Sequence, residues 1–114
     1  MIGCMIISSV CAFAASSTSG YCGNIRCTGS LSFGTNRATA TTTAVSSSVA
    51  CTASVTYKYQ FGSMIYEESA ENTYPSSSVT ATAIAGLVPA QNISAIGTHY
   101  VYASGSTWYG YTSI

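Results

Sequence analysis

Along most of the chain, apolar and polar residues alternate one by one, which is the spacing of a β-strand with one buried face. The clearest run covers residues 49–59. Its apolar side is formed by Val49, Cys51, Ala53, Val55, Tyr57 and Tyr59. Its other side is formed by Ala50, Thr52, Ser54, Thr56 and Lys58. This run predicts a β-strand whose odd-numbered side chains point into the core.

Shorter alternating runs predict further strands on both sides of this one. They lie around Leu31 and Phe33 and over residues 38–44, 64–67, 79–85, 93–103 and 107–113. Gly, Ser, Asn and Pro separate the runs, and no apolar spacing of helical length occurs after the first fifteen residues. Short strands at even spacing are typical of sandwiches and barrels, and we predict an all-β protein, an antiparallel β-sandwich of about 6–8 short strands.

Alanine is the main apolar residue of the runs at 38–44 and 79–85, and alanine fills little of the space between two sheets. The partner sheet must therefore supply the large core residues. The sequence predicts as core residues Leu31, Phe33, Val49, Val55, Tyr57, Val101 and Trp108.

The first fifteen residues are apolar and uncharged, and they include the small-residue motif Ala12-Phe13-Ala14. This pattern is typical of a secretory signal peptide cleaved after Ala14, although no Lys or Arg opens it. Retention of the segment, or lipidation at Cys4 or Cys11, stays open as an alternative. The predicted organisation is a signal peptide (1–14), a flexible lead-in with a cysteine pair (15–27) and one β-sandwich domain (28–114), in a protein that is secreted or held at the cell surface.

Charge is scarce, since only 5% of the 114 residues are charged and the net charge is zero. Arg26, Arg37 and Lys58 are the only strong cations, too few for the phosphate contacts that give nucleic-acid binding its affinity. We therefore expect no nucleic-acid partner. We also expect no membrane span in the mature form and no cofactor. We also expect no metal, because zinc prefers four ligands and the cysteines have only His99 to join them.

Three cysteines follow the signal segment: Cys22, Cys27 and Cys51. In an oxidising compartment two of them would pair. Cys22–Cys27 would close a short loop over the turn-forming Gly23-Asn24, and Cys27–Cys51 is the alternative. The remaining thiol would be buried or would link two chains.

Aromatic residues are the main candidates for a binding site. They are Tyr57, Tyr59, Tyr100, Tyr102, Trp108, Tyr109 and Tyr111. If two of the tyrosine pairs lie outward on adjacent strands, they form an aromatic platform among hydroxyls, which suits a cell-surface glycan or a protein. The alternative is that these side chains stabilise the sheet by cross-strand contacts.

Few residues of the chain are candidates for catalysis. His99 is the only histidine, the chain has no Asp, and Glu67, Glu68 and Glu71 form its entire acidic set. A hydrolase would need a hydroxyl or thiol nucleophile beside His99 and a carboxylate to orient it. We expect no catalytic residues, and a small hydrolase using His99 is kept as an alternative.

The segment Tyr21-Cys22-Gly-Asn-Ile-Arg-Cys27-Thr-Gly-Ser-Leu, the Thr/Ala/Ser strands and the ending Thr98-His99-Tyr-Val…Gly105-Ser-Thr-Trp108 resemble small exported Ser/Thr-rich β proteins of Gram-positive gut bacteria. The chain is also similar, more faintly, to bacteriocins of the lactococcin 972 type in its size and aromatic C-terminal region. The first resemblance implies an exported β protein without an assigned activity, and the second implies a toxin.

The expected function is surface contact by a secreted, non-enzymatic β-sandwich: binding, adhesion or assembly at the cell envelope. Self-association through an edge strand or through the odd cysteine is part of this expectation. A bacteriocin-like toxin is the alternative.

Overall fold

The structure, a computed structural model, describes residues 15–46 and 48–114, so the expected signal peptide lies outside the described residues. The chain order is β1 (Ala15–Cys22), β2 (Ile25–Gly34), β3 (Arg37–Ala44), β4 (Ala50–Phe61), β5 (Met64–Tyr74), β6 (Ser78–Ile84), β7 (Gln91–Ala103) and β8 (Ser106–Ser113). Within these two ranges, no helix is long and apolar enough to cross a bilayer.

The eight strands form two four-stranded sheets that pack face to face. The first sheet has the order β1-β2-β3-β6 and the second has the order β5-β4-β7-β8. Every pairing is antiparallel. The predicted antiparallel β-sandwich is confirmed, and the long run at 49–59 corresponds to β4.

Two-residue turns close four of the hairpins and fix their register. In β7–β8 the pair Ala103 and Ser106 closes a turn in which Ser104 has φ 48° and Gly105 has φ 82°. Positive φ at both turn positions is the type I′ geometry, whose twist matches that of the flanking strands. In β1–β2 the turn contains Gly23 at φ 63° and Asn24.

The flexible lead-in predicted for residues 15–27 is wrong. This segment forms β1 and the start of β2, so the sandwich begins at residue 15 rather than at 28 within the part of the chain that is described. The inward positions of β1 are small or polar, which leaves almost no hydrophobic pattern to detect in the sequence. Likewise β5 continues to Tyr74, well beyond the alternating run at 64–67 that predicted it, because an edge strand with little buried surface carries many polar side chains.

The core combines small residues from the first sheet with large ones from the second. The first sheet contributes Leu31 and the buried alanines of β3 and β6. The second sheet places Val55, Tyr57 and Tyr59 opposite them, each no more than 1% exposed. The predicted core residues Leu31, Val49, Val55, Tyr57 and Val101 are buried, and Phe33 and Trp108 pack partly buried against them.

Val55 lies at the centre of β4, where the facing alanines cannot fill a new gap. Val55→Ala should lower the free energy of unfolding by about 2 kcal/mol, because two methyl groups leave a packed site. Chemical denaturation with circular dichroism detection measures this loss. Val45→Ala is the matched control, since Val45 is 78% exposed, and it should change stability by less than about 0.5 kcal/mol. Equal effects of the two substitutions would contradict this account of the core.

Candidate functional site

Four tyrosines share the outer face of the second sheet and form what we call the tyrosine face: Tyr100, Tyr102, Tyr109 and Tyr111. Even-numbered residues of β7 and odd-numbered residues of β8 point outward here. Tyr100 lies directly opposite Tyr109, and their ring centroids are 4.8 Å apart at an interplanar angle of 45°. Tyr109 and Tyr111 are 59% and 67% exposed. Two aromatic pairs on adjacent strands therefore form an exposed surface.

Hydroxyl groups surround the tyrosines. Thr52 of β4 is the register partner of Tyr100, and Thr98 of β7 is opposite Tyr111. The hydroxyl oxygens of Thr52 and Thr73 are 2.9 Å apart across β4 and β5, so these side chains bond to each other on the surface. The face offers apolar rings and uncharged hydrogen-bonding groups, a combination that suits contact with neutral polar molecules.

A shallow open cleft of about 320 Å³ adjoins one end of the tyrosine face. Its lining includes Tyr102, Ala50, Pro75 and Ser104. Because Tyr102 belongs to both the cleft and the face, a bound molecule could lie across the rings and extend into the cleft.

Tyr57, Tyr59 and Trp108 do not belong to this surface, and their assignment to an aromatic platform is wrong. Tyr57 and Tyr59 point inward on β4, where their rings stack with centroids 5.3 Å apart. The Tyr57 hydroxyl donates to the side-chain oxygen of Asn92, and the Tyr59 hydroxyl accepts a hydrogen bond from the Gly86 amide. Their buried polar ends are thus satisfied inside the sandwich, as a buried tyrosine requires.

Trp108 closes the gap between β8 and β1. A Cβ atom at Gly20 or at Gly110 would overlap its indole ring. The ring therefore lies against bare backbone of the facing strand and of its own strand. Glycine at these two positions is what lets the indole fit between the sheets, so Trp108 acts as a packing residue.

His99 lies wholly inside the core, with a relative exposure of 0%. Its Nδ1 is 2.9 Å from the Thr42 hydroxyl of the opposite sheet, and its Nε2 is 2.9 Å from the Thr112 hydroxyl of β8. The Thr42 hydroxyl in turn donates to the carbonyl of Thr52 at 2.8 Å. A continuous polar chain thus crosses the core from one sheet to the other.

The hydrogen-bond donors around His99 determine which of its ring nitrogens carries the proton. The single Thr42 proton is used on the Thr52 carbonyl, so Nδ1 must carry a hydrogen and donate it to Thr42. In the neutral ring Nε2 then accepts the proton of Thr112. Burial lowers the pKa of His99 from its ordinary value, which favours this neutral form.

The ring of His99 fits because glycine faces it. A Cβ atom at Gly29 of the opposite sheet would overlap the imidazole, and one at Gly97 would overlap the Thr112 hydroxyl. Both ring nitrogens are occupied by threonine, and the ring has no path to solvent. This geometry describes a structural histidine that joins the sheets.

Cys22, Cys27 and Cys51 are buried free thiols, so neither expected disulfide is formed. Cys27 lies opposite Gly20 in the β1–β2 register, which makes Cys22 its diagonal neighbour. Diagonal cross-strand partners lie about 7–8 Å apart, which exceeds the usual Cα separation of a disulfide. Cys22 directs its sulfur to the backbone carbonyl of Ser106 at 3.2 Å instead.

The three glutamates do not converge on one point. Glu67 lies opposite Lys58 in the β4–β5 register, whereas Glu68 alternates to the other side of the strand, towards Gly86. Within the described residues, no group of three or more His, Cys or Glu side chains is arranged to hold a metal ion.

No protein family matches this chain, and searches of curated proteins and of solved structures find no significant match. The geometry of the site therefore carries the inference of function.

Several residues that organise the interior were not found from the sequence. Thr42 and Thr112 look like ordinary members of Ser/Thr-rich strands, and Gly29 carries no motif of its own. The sequence offers one signal for these residues. Thr42, Thr112 and His99 each occupy the same alternate positions as the apolar residues of their strand, which places them on its inward side.

The buried neutral His99 should make stability depend on pH. The imidazole of His99 binds a proton more readily in the unfolded chain than in the folded chain. The free energy of unfolding should therefore fall as the pH drops below about 6.5. The slope can reach about 1.4 kcal/mol per pH unit between the unfolded-state and folded-state pKa values. Urea titrations at a series of pH values measure it.

The His99→Gln variant is the control for this dependence. It retains every carboxyl group and lacks the imidazole, so it should be less stable at neutral pH but lose the slope near pH 6. An identical slope in both proteins would assign the dependence to other groups.

The thiols should be unreactive in the folded protein. Burial raises the pKa of both Cys27 and Cys51, so little thiolate is present and reagents have no access to it. A colorimetric thiol reagent should modify the native protein at least about a hundredfold more slowly than the denatured protein, in line with opening of a stable core. Rapid labelling of the native protein would contradict the burial.

Proposed function

We propose that this protein is an exported, non-enzymatic β-sandwich that acts by surface contact, using the tyrosine face to bind neutral glycan at a cell envelope. Export rests on the apolar segment that ends in Ala12-Phe13-Ala14, which is typical of a signal peptide. The single observation that carries the binding role is the exposure of Tyr102, Tyr109 and Tyr111 together on one face of the sheet.

The contrast between buried and exposed tyrosines supports this role. The same chain places Tyr57 and Tyr59 wholly inside with bonded hydroxyls. Rings left in water on one face carry an unfavourable apolar exposure that a partner would remove. The tilted contact between the rings of Tyr100 and Tyr109 also holds two of them in a fixed orientation before any partner arrives.

The chemistry of the face favours an uncharged polar partner. Sugar rings combine an apolar face with hydroxyl edges, and the tyrosine face presents rings beside Thr52 and Thr98 in a complementary way. The charged residues of this sheet lie on β4 and β5, at Lys58 and the glutamates, away from the tyrosines. A neutral polysaccharide therefore fits better than a polyanion.

His99 does not contribute to this proposal as a catalytic base. Its ring is enclosed, and both of its nitrogens are bonded to threonine. Its role in the proposal is to keep the two sheets in register, which gives the tyrosine face a stable support.

Replacing two neighbouring rings should weaken binding. The double variant Tyr100→Ala with Tyr102→Ala should raise the Kd for an insoluble neutral cell-wall polysaccharide by at least about tenfold, equivalent to about 1.4 kcal/mol. Sedimentation binding assays at constant salt measure it, and circular dichroism verifies the fold.

The double variant Tyr21→Ala with Tyr74→Ala provides the matched control. These tyrosines are 64% and 59% exposed but lie outside the tyrosine face. Binding by the control should equal that of the unmodified protein. Equal losses in both variants, or no binding by the unmodified protein to any neutral glycan on an array, would overturn the proposal.

A further inference from the structure

The hairpin register shows which backbone groups of β8 are free. Ala103 and Ser106 close a two-residue turn, so they form a hydrogen-bonded pair and the even-numbered residues of β8 bond to β7. Ile114, the even-numbered residue that follows β8, agrees with this pattern, because it exchanges two backbone hydrogen bonds of 3.0 Å with Ala95 of β7. The odd-numbered residues therefore direct their N–H and C=O groups away from the sheet. These are Thr107, Tyr109, Tyr111 and Ser113.

The same reasoning applies to β1, the edge of the other sheet. Cys22 and Ile25 close its turn, so the even-numbered residues of β1 bond to β2. The free positions are Ala15, Ser17, Ser19 and Tyr21. Because β1 contacts β8 across the sandwich, both free edges lie on one side of the molecule.

The opposite side of the sandwich is formed by β5 and β6, and it is protected. The free positions of β5 include Glu67 and Glu71, whose charges oppose pairing with another strand. On β6 the carbonyl of Thr80 accepts a hydrogen bond from the Asn72 side chain of β5 at 2.6 Å. One edge is thus charged, and the other has a backbone acceptor already in use.

None of these protections is present on β1 and β8. Neither strand contains a charged residue or a proline, and each has eight residues with four free backbone positions in alternation. The chain has no net charge to keep copies apart. An uncharged edge in continuous register is a template for a further strand.

We infer that a second copy of this chain pairs with the β1/β8 side, with β8 against β8 and β1 against β1 in antiparallel fashion. A two-fold axis perpendicular to the sheets brings each edge strand onto its own counterpart, which makes the contact self-complementary. Each four-stranded sheet then continues into the partner as an eight-stranded sheet. The protected β5/β6 side ends the assembly at the dimer.

The dimer would strengthen the proposed glycan binding, and its formation does not depend on that binding. Tyr109 and Tyr111 lie on the strand that forms the join, so two tyrosine faces become one continuous surface. Such a surface can bind two stretches of one polymer, which raises the apparent affinity without any new contact. Loss of glycan binding would leave the dimer intact, so the two proposals fail separately.

The oligomeric state tests the inference directly. Sedimentation equilibrium of the purified protein with reductant present should give twice the mass of one chain. The double variant Ser19→Pro with Ser113→Pro removes one free N–H from each edge and no bond within the sheet. It should raise the dimer dissociation constant by at least about tenfold.

The matched control is Ser69→Pro with Thr73→Pro, which removes two free N–H groups from the β5 edge. This control should remain dimeric. If the first variant fails to fold, Ser19→Lys with Ser113→Lys replaces it, because a charge on each free edge opposes pairing with another strand. A monomer at all concentrations, or equal dissociation of the β5 control, would overturn the inference.

Amide hydrogen exchange gives a second readout that needs no variant. The amides of Ser17, Ser19, Tyr109 and Tyr111 have no acceptor within their own sheets, so in a monomer they exchange rapidly. In the dimer they should be protected, and the protection should decrease on dilution. Rapid exchange of all four at high protein concentration would contradict the pairing.

Discussion

The polar chain through His99 is the constraint on which the sandwich depends. A buried imidazole is costly unless both nitrogens are bonded, and here Thr42 and Thr112 supply the two partners. The partners come from different sheets, so the bonds also set the alignment of one sheet on the other. An apolar core of alanine and valine would permit sliding, whereas a directional bond to Thr42 permits one register.

Size complementarity follows from the same arrangement. Besides Leu31 and Val79, the first sheet presents mainly alanine, cysteine, glycine and Thr42 towards the core, and the second presents tyrosine, histidine and valine. Two of the large rings lie against glycine, His99 against Gly29 and Trp108 against Gly20. Among the described residues Leu31 is the one buried leucine and no isoleucine is buried, so the interior is filled by placing most of the large residues on one sheet.

The sequence predicted the sandwich and most of its core because alternation is a strong signal wherever one side is apolar. β4 shows this best, since its inward residues run from Cys51 to Tyr59 without a polar interruption. β1 was missed because its inward Ser16, Thr18 and Gly20 give no contrast with the outward face. The alternation of β4 also predicts that Tyr57 and Tyr59 point inward. They were binding candidates by residue type, because tyrosine occurs both in cores and on binding surfaces and the type alone does not separate the two roles.

The distribution of charge separates the surfaces of the molecule. Hydroxyl pairs such as Thr39–Thr82 and Thr41–Thr80 bond across strands on the outer face of the first sheet, so the middle of that face is solvated by hydroxyls, with Arg26 and Arg37 near the strand ends. The glutamates are confined to β5, the edge farthest from β8 in its sheet. Charge thus protects one side from pairing and leaves the tyrosines in a neutral environment. β8 combines a free backbone edge with exposed tyrosine rings, so the proposed dimer and the proposed glycan binding would be coupled through this strand. Pairing at the edge would order the strand that holds Tyr109 and Tyr111. A ligand bound across the join would in turn stabilise the dimer.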